Sequence, residues 1–302
     1  MYHRAGSALL TRVSSSAPAG TFPGRAFRHD PQRVDGEATT RAMVELLDLQ
    51  DAAPAVRRLR EWALASARPA AGERAVDLGS GTGTVTRMLA DLVGPEGQAV
   101  GVDPSAPMRA EAARRAADTG SRARFVEGVA GAIPYEDASV DLVWCERVLQ
   151  HLDDPQTAVD EIARVLRPGG RAVLLDSDHA SRVTADVDPD VERRLLDAFL
   201  STAPNPRAAR YIPRQARAAG LVLDPDVGSA ALVLPPEWSR QRHLMRMMTD
   251  EAVRAGAVTE AEADAALTAF TQAAQEGVAF SAVTIFGFVA RKPDGSGSAE
   301  TP

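Results

Sequence analysis

Ala75-Val-Asp-Leu-Gly-Ser-Gly-Thr-Gly83, followed twenty residues past its last glycine by the end of Val100-Gly-Val-Asp103, is the stretch that decides the fold. An apolar run carrying an acid leads into three alternating glycines, and Val85, Met88, Leu89 and Leu92 then recur at helical spacing. The order is strand, tight turn, helix, and a second strand ending in a carboxylate. Such a unit holds a nucleoside, because glycines let the backbone approach a ligand and the second-strand acid accepts from ribose hydroxyls. A dinucleotide loop reads G-x-G-x-x-G; here Thr84 stands at the third glycine's place and Asp77 precedes the loop. An acid beside the loop suits a cationic ligand better than a pyrophosphate.

Outward from this unit, strands and helices alternate. The pattern predicts a strand at 74–78, a helix at 84–93, strands at 98–102, 123–126 and 139–145, helices at 106–117 and 155–166, and a strand at 171–175. That rhythm implies an α/β fold with a doubly wound, mostly parallel sheet. It breaks after Asp178, where helical patterns at 187–200, 207–219 and 236–276 interleave with strand-like 221–223 and 230–234, before a β-rich run at 279–290. These later segments are expected to give helical cap insertions over the carboxyl ends of the strands, with an antiparallel edge. The expected organisation is a disordered tail over 1–24, an N-terminal helical lid over 25–70 and a cofactor-binding core over 71–180. Cap insertions with one edge strand follow over 181–278, then the core's final edge strand over 279–292 and a disordered tail over 293–302.

Composition narrows the function. The chain of 302 residues is 45% apolar and 25% charged, ordinary for a globular protein, and its net charge of −7 argues against a nucleic-acid footprint. The single cysteine, Cys145, excludes an internal disulfide and a cysteine-based metal site, and no metal is expected. No run of 18 apolar residues is long enough for a membrane span, and Ala8-Leu9-Leu10 is too short an apolar core for a signal peptide. A cytoplasmic enzyme is the expectation, with a small-molecule partner, no nucleic acid or membrane, and a monomeric or homodimeric state.

The alternating-glycine loop behind an acid resembles motif I of the class I S-adenosylmethionine-dependent methyltransferases. Gly128-Val-Ala-Gly-Ala-Ile-Pro134 with Asp137-Ala-Ser-Val-Asp-Leu-Val143 is similar to a motif of the ubiquinone/menaquinone-biosynthesis-like (type 11) branch. Gln150-His151-Leu152 before Asp154-Pro155 resembles that branch's H-x-x-D-P turn, and Ala163-Arg-Val-Leu-Arg-Pro-Gly-Gly170 follows its pattern closely. The resemblance covers residues 72–178, about a third of the chain, and four motifs in the right order make it specific. It implies a Rossmann-like, seven-stranded, mostly parallel sheet with S-adenosylmethionine as cofactor. The reaction implied is in-line transfer of a methyl group to a carbon, nitrogen or oxygen nucleophile of a small molecule.

The resemblance also assigns residues. Gly79, Gly81 and Gly83 are expected to admit the amino-acid end of the cofactor, Thr84 at a helix N-terminus to meet its carboxylate, and Asp77 to face its ammonium. Asp103 is expected to take the ribose hydroxyls, with Pro104 and Met108 flanking the adenine. The branch usually carries an aspartate where this chain has Val129, so the backbone from Gly128 to Ala130, water or apolar packing must serve the adenine instead. Arg147 is expected beside the cofactor, and Arg33, in a segment with His29, opposite its carboxylate. His179 and His151 are the candidate bases. The Leu, Val and Met content of the insertions suggests a hydrophobic acceptor, and analogy suggests a specialised metabolite. Two alternatives stay open: the same fold acting as a cyclase or binding module without methyl transfer, and an NAD-dependent oxidoreductase.

Overall fold

The computed structural model describes residues 37–234 and 243–294. Both expected disordered tails, Arg33 and His29 lie outside that range or at its margin. Two helices, α1 (Glu37–Ala52) and α2 (Pro54–Ala67), precede the sheet. Then come β1 (Arg74–Leu78), α3 (Thr84–Val93), β2 (Gln98–Asp103), α4 (Ala106–Thr119), β3 (Arg124–Glu127), β4 (Val140–Glu146), α5 (Pro155–Val165) and β5 (Leu166–Thr184). The remaining elements are α6 (Pro189–Thr202), α7 (Ala208–Ala218), β6 (Val222–Leu223), β7 (Gly228–Val233), α8 (His243–Arg254), α9 (Glu260–Glu276) and β8 (Ser281–Arg291).

The sheet order is β3-β2-β1-β4-β5-β8-β6, with β7 also on β8. The first five strands pair in parallel, and β8 runs antiparallel to β5. The doubly wound, mostly parallel fold is as expected, with one change in count and one in position. There are eight strands in seven places, because β6 and β7 lie end to end along β8. The run expected as the core's final edge strand is therefore interior. Its apolar alternation on both faces is what an interior strand needs, and Val283, Ile285 and Val289 bury one set while Phe288 and Ala290 bury the other. Strand β5 is also longer than the 171–175 predicted, because its ladder with β8 resumes after an irregular stretch and reaches Thr184↔Ser281.

Each face of the sheet is covered by a helical layer. On β4, Leu142 and Trp144 join the layer of α2 and α3, while Val143 and Cys145 join that of α5 and α7. Burial of these side chains, at about 1.5–3 kcal/mol each, is the main stabilising contribution. The expected lid of 25–70 divides here. Helix α2 is a packing helix, burying Val56, Leu59, Ala63 and Ala67 on the sheet. Among the described residues of that stretch, α1 lies over the glycine loop, with Leu47 against Gly81.

Trp62 of α2 explains two glycines. Gly228 and Gly287 are cross-strand partners on β7 and β8. A Cβ at Gly228 would stand 2.3 Å from Trp62 Cε3, and one at Gly287 2.7 Å from Trp62 Cζ3. The paired glycines leave a slot for the indole, whose Nε1–H donates to Asp226 at 2.7 Å. Gly228→Ala is expected to overpack this slot and cost about 1–3 kcal/mol. A lower urea midpoint with unchanged slope would show it, and an unshifted midpoint would contradict it.

Candidate functional site

The parallel strands end along one edge, where open α/β sheets place ligands. At that edge the loop after β1 takes three left-handed turns, with φ of +70° at Gly79, +50° at Gly81 and +74° at Gly83. The same loop docks on β2, because the N–H groups of Gly79 and Ser80 both donate to the Val102 carbonyl. Space as well as conformation requires glycine: a Cβ at Gly79 would stand 2.5 Å from Val148 Cγ2, and one at Gly83 2.5 Å from Phe125 Cζ. A side chain also faces Gly81, with Leu47 Cδ1 3.2 Å from where its Cβ would stand, so protein and not open space faces all three glycines. Helix α3 begins directly behind, at Thr84, whose hydroxyl lies 3.4 Å from Arg87 Nη2.

Asp103, at the end of β2, is pinned from both sides. Gly81 N–H donates to its Oδ2 and Ser105 N–H to its Oδ1, each at 2.9 Å. Burial raises its pKa, and the two backbone hydrogen bonds act against that rise. Each oxygen keeps a further lone pair for a ligand. Arg109 clasps the strand end, donating to the Asp103 and Pro104 carbonyls and pairing with Glu127 at 2.7 Å. Met108 on α4 is buried and Pro104 half-buried. Across β3, Ala130 is buried, while Val129 is 38% exposed and its carbonyl accepts from Ala132 N–H. The Val129 side chain consequently adds little wall to the site.

Asp77 is buried within β1 and accepts from the Thr86 hydroxyl at 2.6 Å. Burial first, then the nearby Glu146 and Asp103 charges, raise it to about 7 against that hydrogen bond and the Arg60 charge. Glu146, ending β4, goes the other way. Despite burial it is held at about 2 by Arg60 and Arg147, with Arg60 Nε and Nη2 each 2.8 Å from its carboxylate and Trp144 Nε1 at 3.1 Å. Arg60 also meets Asp51 at 2.6 Å, and Arg147 meets Glu146 at 3.2 Å, Asp51 at 3.4 Å and Gln50. The Arg147 guanidinium, expected beside the cofactor, is thus largely committed to α1 and β4. Arg147 itself sits at φ +58°, and its N–H donates to the Leu175 carbonyl. The sequence offers Glu146 as an ion-pair partner of Arg147, which the contact at 3.2 Å bears out, but not Arg60, whose pairing with Glu146 spans 86 residues and has no local signature.

The two candidate bases lie on separate segments that the fold brings together. A short 3₁₀ turn, Leu149–His151, follows β4, and His179 stands near the end of β5. Gln150 bridges them: its Nε2 lies 3.0 Å from His151 Nε2 and its Oε1 2.9 Å from His179 Nε2. The same Nε2 reaches the Arg147 carbonyl at 3.3 Å, which can only accept, so the amide orientation is set. It follows that His179 Nε2 carries a proton and its Nδ1 carries the lone pair. That Nδ1 has no hydrogen-bond partner. Burial first, then the Arg182 charge, holds His179 at about 3; burial and the Arg147 charge do the same for His151. Both residues are half-buried overall, although His179 Nδ1 itself has no exposed surface.

Behind them Asp176 is fully buried, accepts from the N–H groups of Ser177 and Gln150, and is raised to about 7 by burial. The cap closes on this cluster. Phe199 of α6 meets the His179 ring edge-on at 5.2 Å and packs with Met248, Leu196 and Leu200. Pro206 accepts from His179 N–H, and Asn205 bonds to Leu149 and Gln150. Cys145 lies buried in β4, where desolvation pushes its thiol well up and keeps it inert. Among the described residues no cluster of three His, Cys, Asp or Glu side chains suits a metal ion. No helix among them is long and apolar enough to cross a membrane.

Residues 76–174 match the family described as "Methyltransferase domain". An uncharacterised 37.1 kDa protein of transposon TN4556 from Streptomyces fradiae is 33% identical over 248 residues, covering 79% of this chain and 70% of that protein. A demethylmenaquinone methyltransferase from Thermus thermophilus is 38% identical over 119 residues, covering 39% of this chain and 54% of that enzyme. The chain thus spans about half the length of that relative. The fold alone is similar to that of the YcgJ protein of Bacillus subtilis, with a TM-score of 0.54 and 20% identity over 79% of this chain and all of the other. The domain match and the likeness to the demethylmenaquinone methyltransferase, with the glycine loop and the ordered motifs, place residues 76–174 among the class I S-adenosylmethionine-dependent methyltransferase domains, whose cofactor is S-adenosylmethionine.

Proposed function

We propose that this protein methylates a hydrophobic small molecule, a specialised metabolite by analogy, at a carbon, nitrogen or oxygen nucleophile. One observation carries the reading. A pinned, buried carboxylate on β2 and a neutral imidazole with an unpartnered lone pair on β5 share one edge of the sheet, under an apolar cap.

The residues present fit S-adenosylmethionine. Asp77, Asp103 and Glu146 gather negative charge beside the loop, and only Glu146 is fully matched by arginines, so a cationic ligand completes the balance. Asp103 receives the ribose hydroxyls with the lone pairs that Gly81 and Ser105 leave over. Asp77 faces the positive end, and the N–H groups at the start of α3, at Thr84, take the carboxylate. Gly79, Gly81 and Gly83 shape the cradle. Met108 and Pro104 flank the adenine, whose edge is read by the backbone of Gly128, Val129 and Ala130, and Arg147 closes the pocket from β4. When bound, the cofactor supplies a methyl group on a positively charged sulfur, a leaving group that needs no further activation.

The chain's own contribution is then chiefly positioning, which can be worth an effective molarity of about 10⁵ M or more. His179 Nδ1 accepts a hydrogen bond from the acceptor and takes its proton as methyl transfer makes that proton acidic, while its Nε2–H stays on Gln150. His151 acts through Gln150 as a positioning residue, fixing the amide that fixes the His179 tautomer. Phe199, Met248, Leu196 and Leu200 provide the apolar wall against which the acceptor lies. The acidic net charge and the apolar cap beside His179 support a small-molecule acceptor over a nucleic acid.

Asp103→Ala is expected to weaken S-adenosylmethionine binding at least about tenfold, as loss of hydrogen bonds to a carboxylate implies. An unchanged dissociation constant in a folded variant would remove Asp103 from the site. His179→Ala should lower turnover about 10²–10⁴-fold at unchanged cofactor affinity. The wild-type profile should show no imidazole ionisation between about pH 5 and 8, since both rings stay neutral there; a limb near pH 6.5 would count against the assignment. Demethylated product must appear with an acceptor, and tight binding without it would favour a cyclase or binding module. Asp77 supplies a linkage test. It holds its proton to about pH 7 without ligand, so a cation that ionises it must release protons below that pH. Calorimetry at pH 6, in buffers of different ionisation enthalpy, should detect that release in the wild type and lose it in Asp77→Asn.

A further inference from the structure

We infer that Arg182 anchors an anionic group of the acceptor, a carboxylate or a phosphate, so that the substrate is an apolar molecule with a charged end. The inference rests on the methyltransferase reading above and names the substrate class of that same site.

Between Asp178 and Val183 strand β5 leaves its register with β8. Ser181 bridges the gap, its hydroxyl donating to the Asp178 carbonyl at 2.7 Å and accepting from Thr284 N–H at 2.9 Å. Irregularities of this kind re-aim side chains beside functional sites. Here the neighbouring side chains go opposite ways: Val183 is 50% exposed, while Arg182 turns in and its Nε has neither solvent contact nor a hydrogen-bond partner. The guanidinium makes one long contact, from Nη1 to Ser281 Oγ at 3.5 Å. No described carboxylate forms an ion pair with it.

The other deeply set arginines show what is missing. Arg60 pairs with Asp51 and Glu146, and Arg171 with Glu73 at 2.7 Å. A desolvated guanidinium without a counter-charge costs several kcal/mol and is retained where a ligand supplies the anion. Desolvation alone acts on Arg182, lowering its pKa to about 10, so it remains charged at neutral pH. Arg182 follows His179 by three residues on the same irregular stretch of β5, so both stand beside the cap-covered cluster. Arg182 as a residue is half-buried, not sealed within the core. A guanidinium fork matches carboxylate and phosphate oxygens in pairs. An acceptor held between Arg182 and the Phe199–Met248 wall would be anchored at its charged end and packed along its apolar length.

The test titrates decanoate, decyl phosphate and decanol into protein saturated with S-adenosylhomocysteine, by calorimetry, for wild type, Arg182→Gln and Arg182→Lys. At least one anion should bind the wild type at least about tenfold more tightly than decanol, as charged hydrogen bonds imply; comparison of the two anions separates carboxylate from phosphate. Arg182→Gln should abolish that preference and leave decanol and S-adenosylhomocysteine affinities within about twofold, and Arg182→Lys should restore part of it. Removing an unpaired buried charge should leave Tm no lower than in the wild type. Equal binding of anions and decanol by the wild type, survival of the preference in Arg182→Gln, or a marked fall in Tm would each overturn the inference. With S-adenosylhomocysteine binding intact, such failures bear on Arg182 alone. Failure of S-adenosylhomocysteine to bind would overturn the methyltransferase reading and this inference with it.

Discussion

Four adjacent parallel strands carry carboxylates to one edge of the sheet: Asp77 on β1, Asp103 on β2, Glu146 on β4 and Asp176 on β5. Their burial is the constraint on which the rest of the site depends, because a desolvated carboxylate must be paired, hydrogen-bonded or protonated. The chain uses all three solutions. Glu146 is paired with Arg60 and Arg147, Asp103 is hydrogen-bonded by Gly81 and Ser105, and Asp77 and Asp176 are pushed towards protonation. Asp77, raised to about 7, becomes a carboxylate fit for a cation only when it gives up its proton.

The same constraint recruits the N-terminal helices. Arg60 comes from α2 and Asp51 and Gln50 from α1, so the charge balance of the β4 end adds a polar link to both helices beside the apolar packing of α2. Breaking such a buried pair by removing one partner leaves an uncompensated charge. The link from packing to function is therefore direct. Helix α2 seals the sheet through Trp62 and Leu59, and the same helix neutralises the acid next to the glycine loop.

On the acceptor side the logic is reversed. His179 and Arg182 are basic groups in a desolvated, apolar setting, and their protonation is disfavoured rather than neutralised. Negative charge around the cofactor cradle and basic groups beneath the cap give the two halves of the cleft opposite polarity.

Much of this was legible in the sequence. Strand and helix periods from Arg74 to Val165 translate directly into the parallel core, because each element's apolar pattern answers to a local geometry of period two or 3.6. The glycine loop, Asp103 and the two histidines were recognisable as candidates for the same reason, since their neighbours in sequence are their neighbours in space. Beyond Asp178 local pattern loses its force. Whether β8 is an edge or an interior strand depends on what lies on its other side, and β6 and β7 are brought there from 60 residues earlier by the cap. Arg60 with Glu146, Trp62 with Gly228, and Gln150 between His151 and His179 are likewise contacts between distant segments, and no residue in them announces its partner. By itself, then, the sequence determined the cofactor-binding unit, whose chemistry is carried by short motifs. The tertiary structure alone decided the charge balance and the acceptor side, because Coulomb interactions and desolvation depend on distance in space and not along the chain.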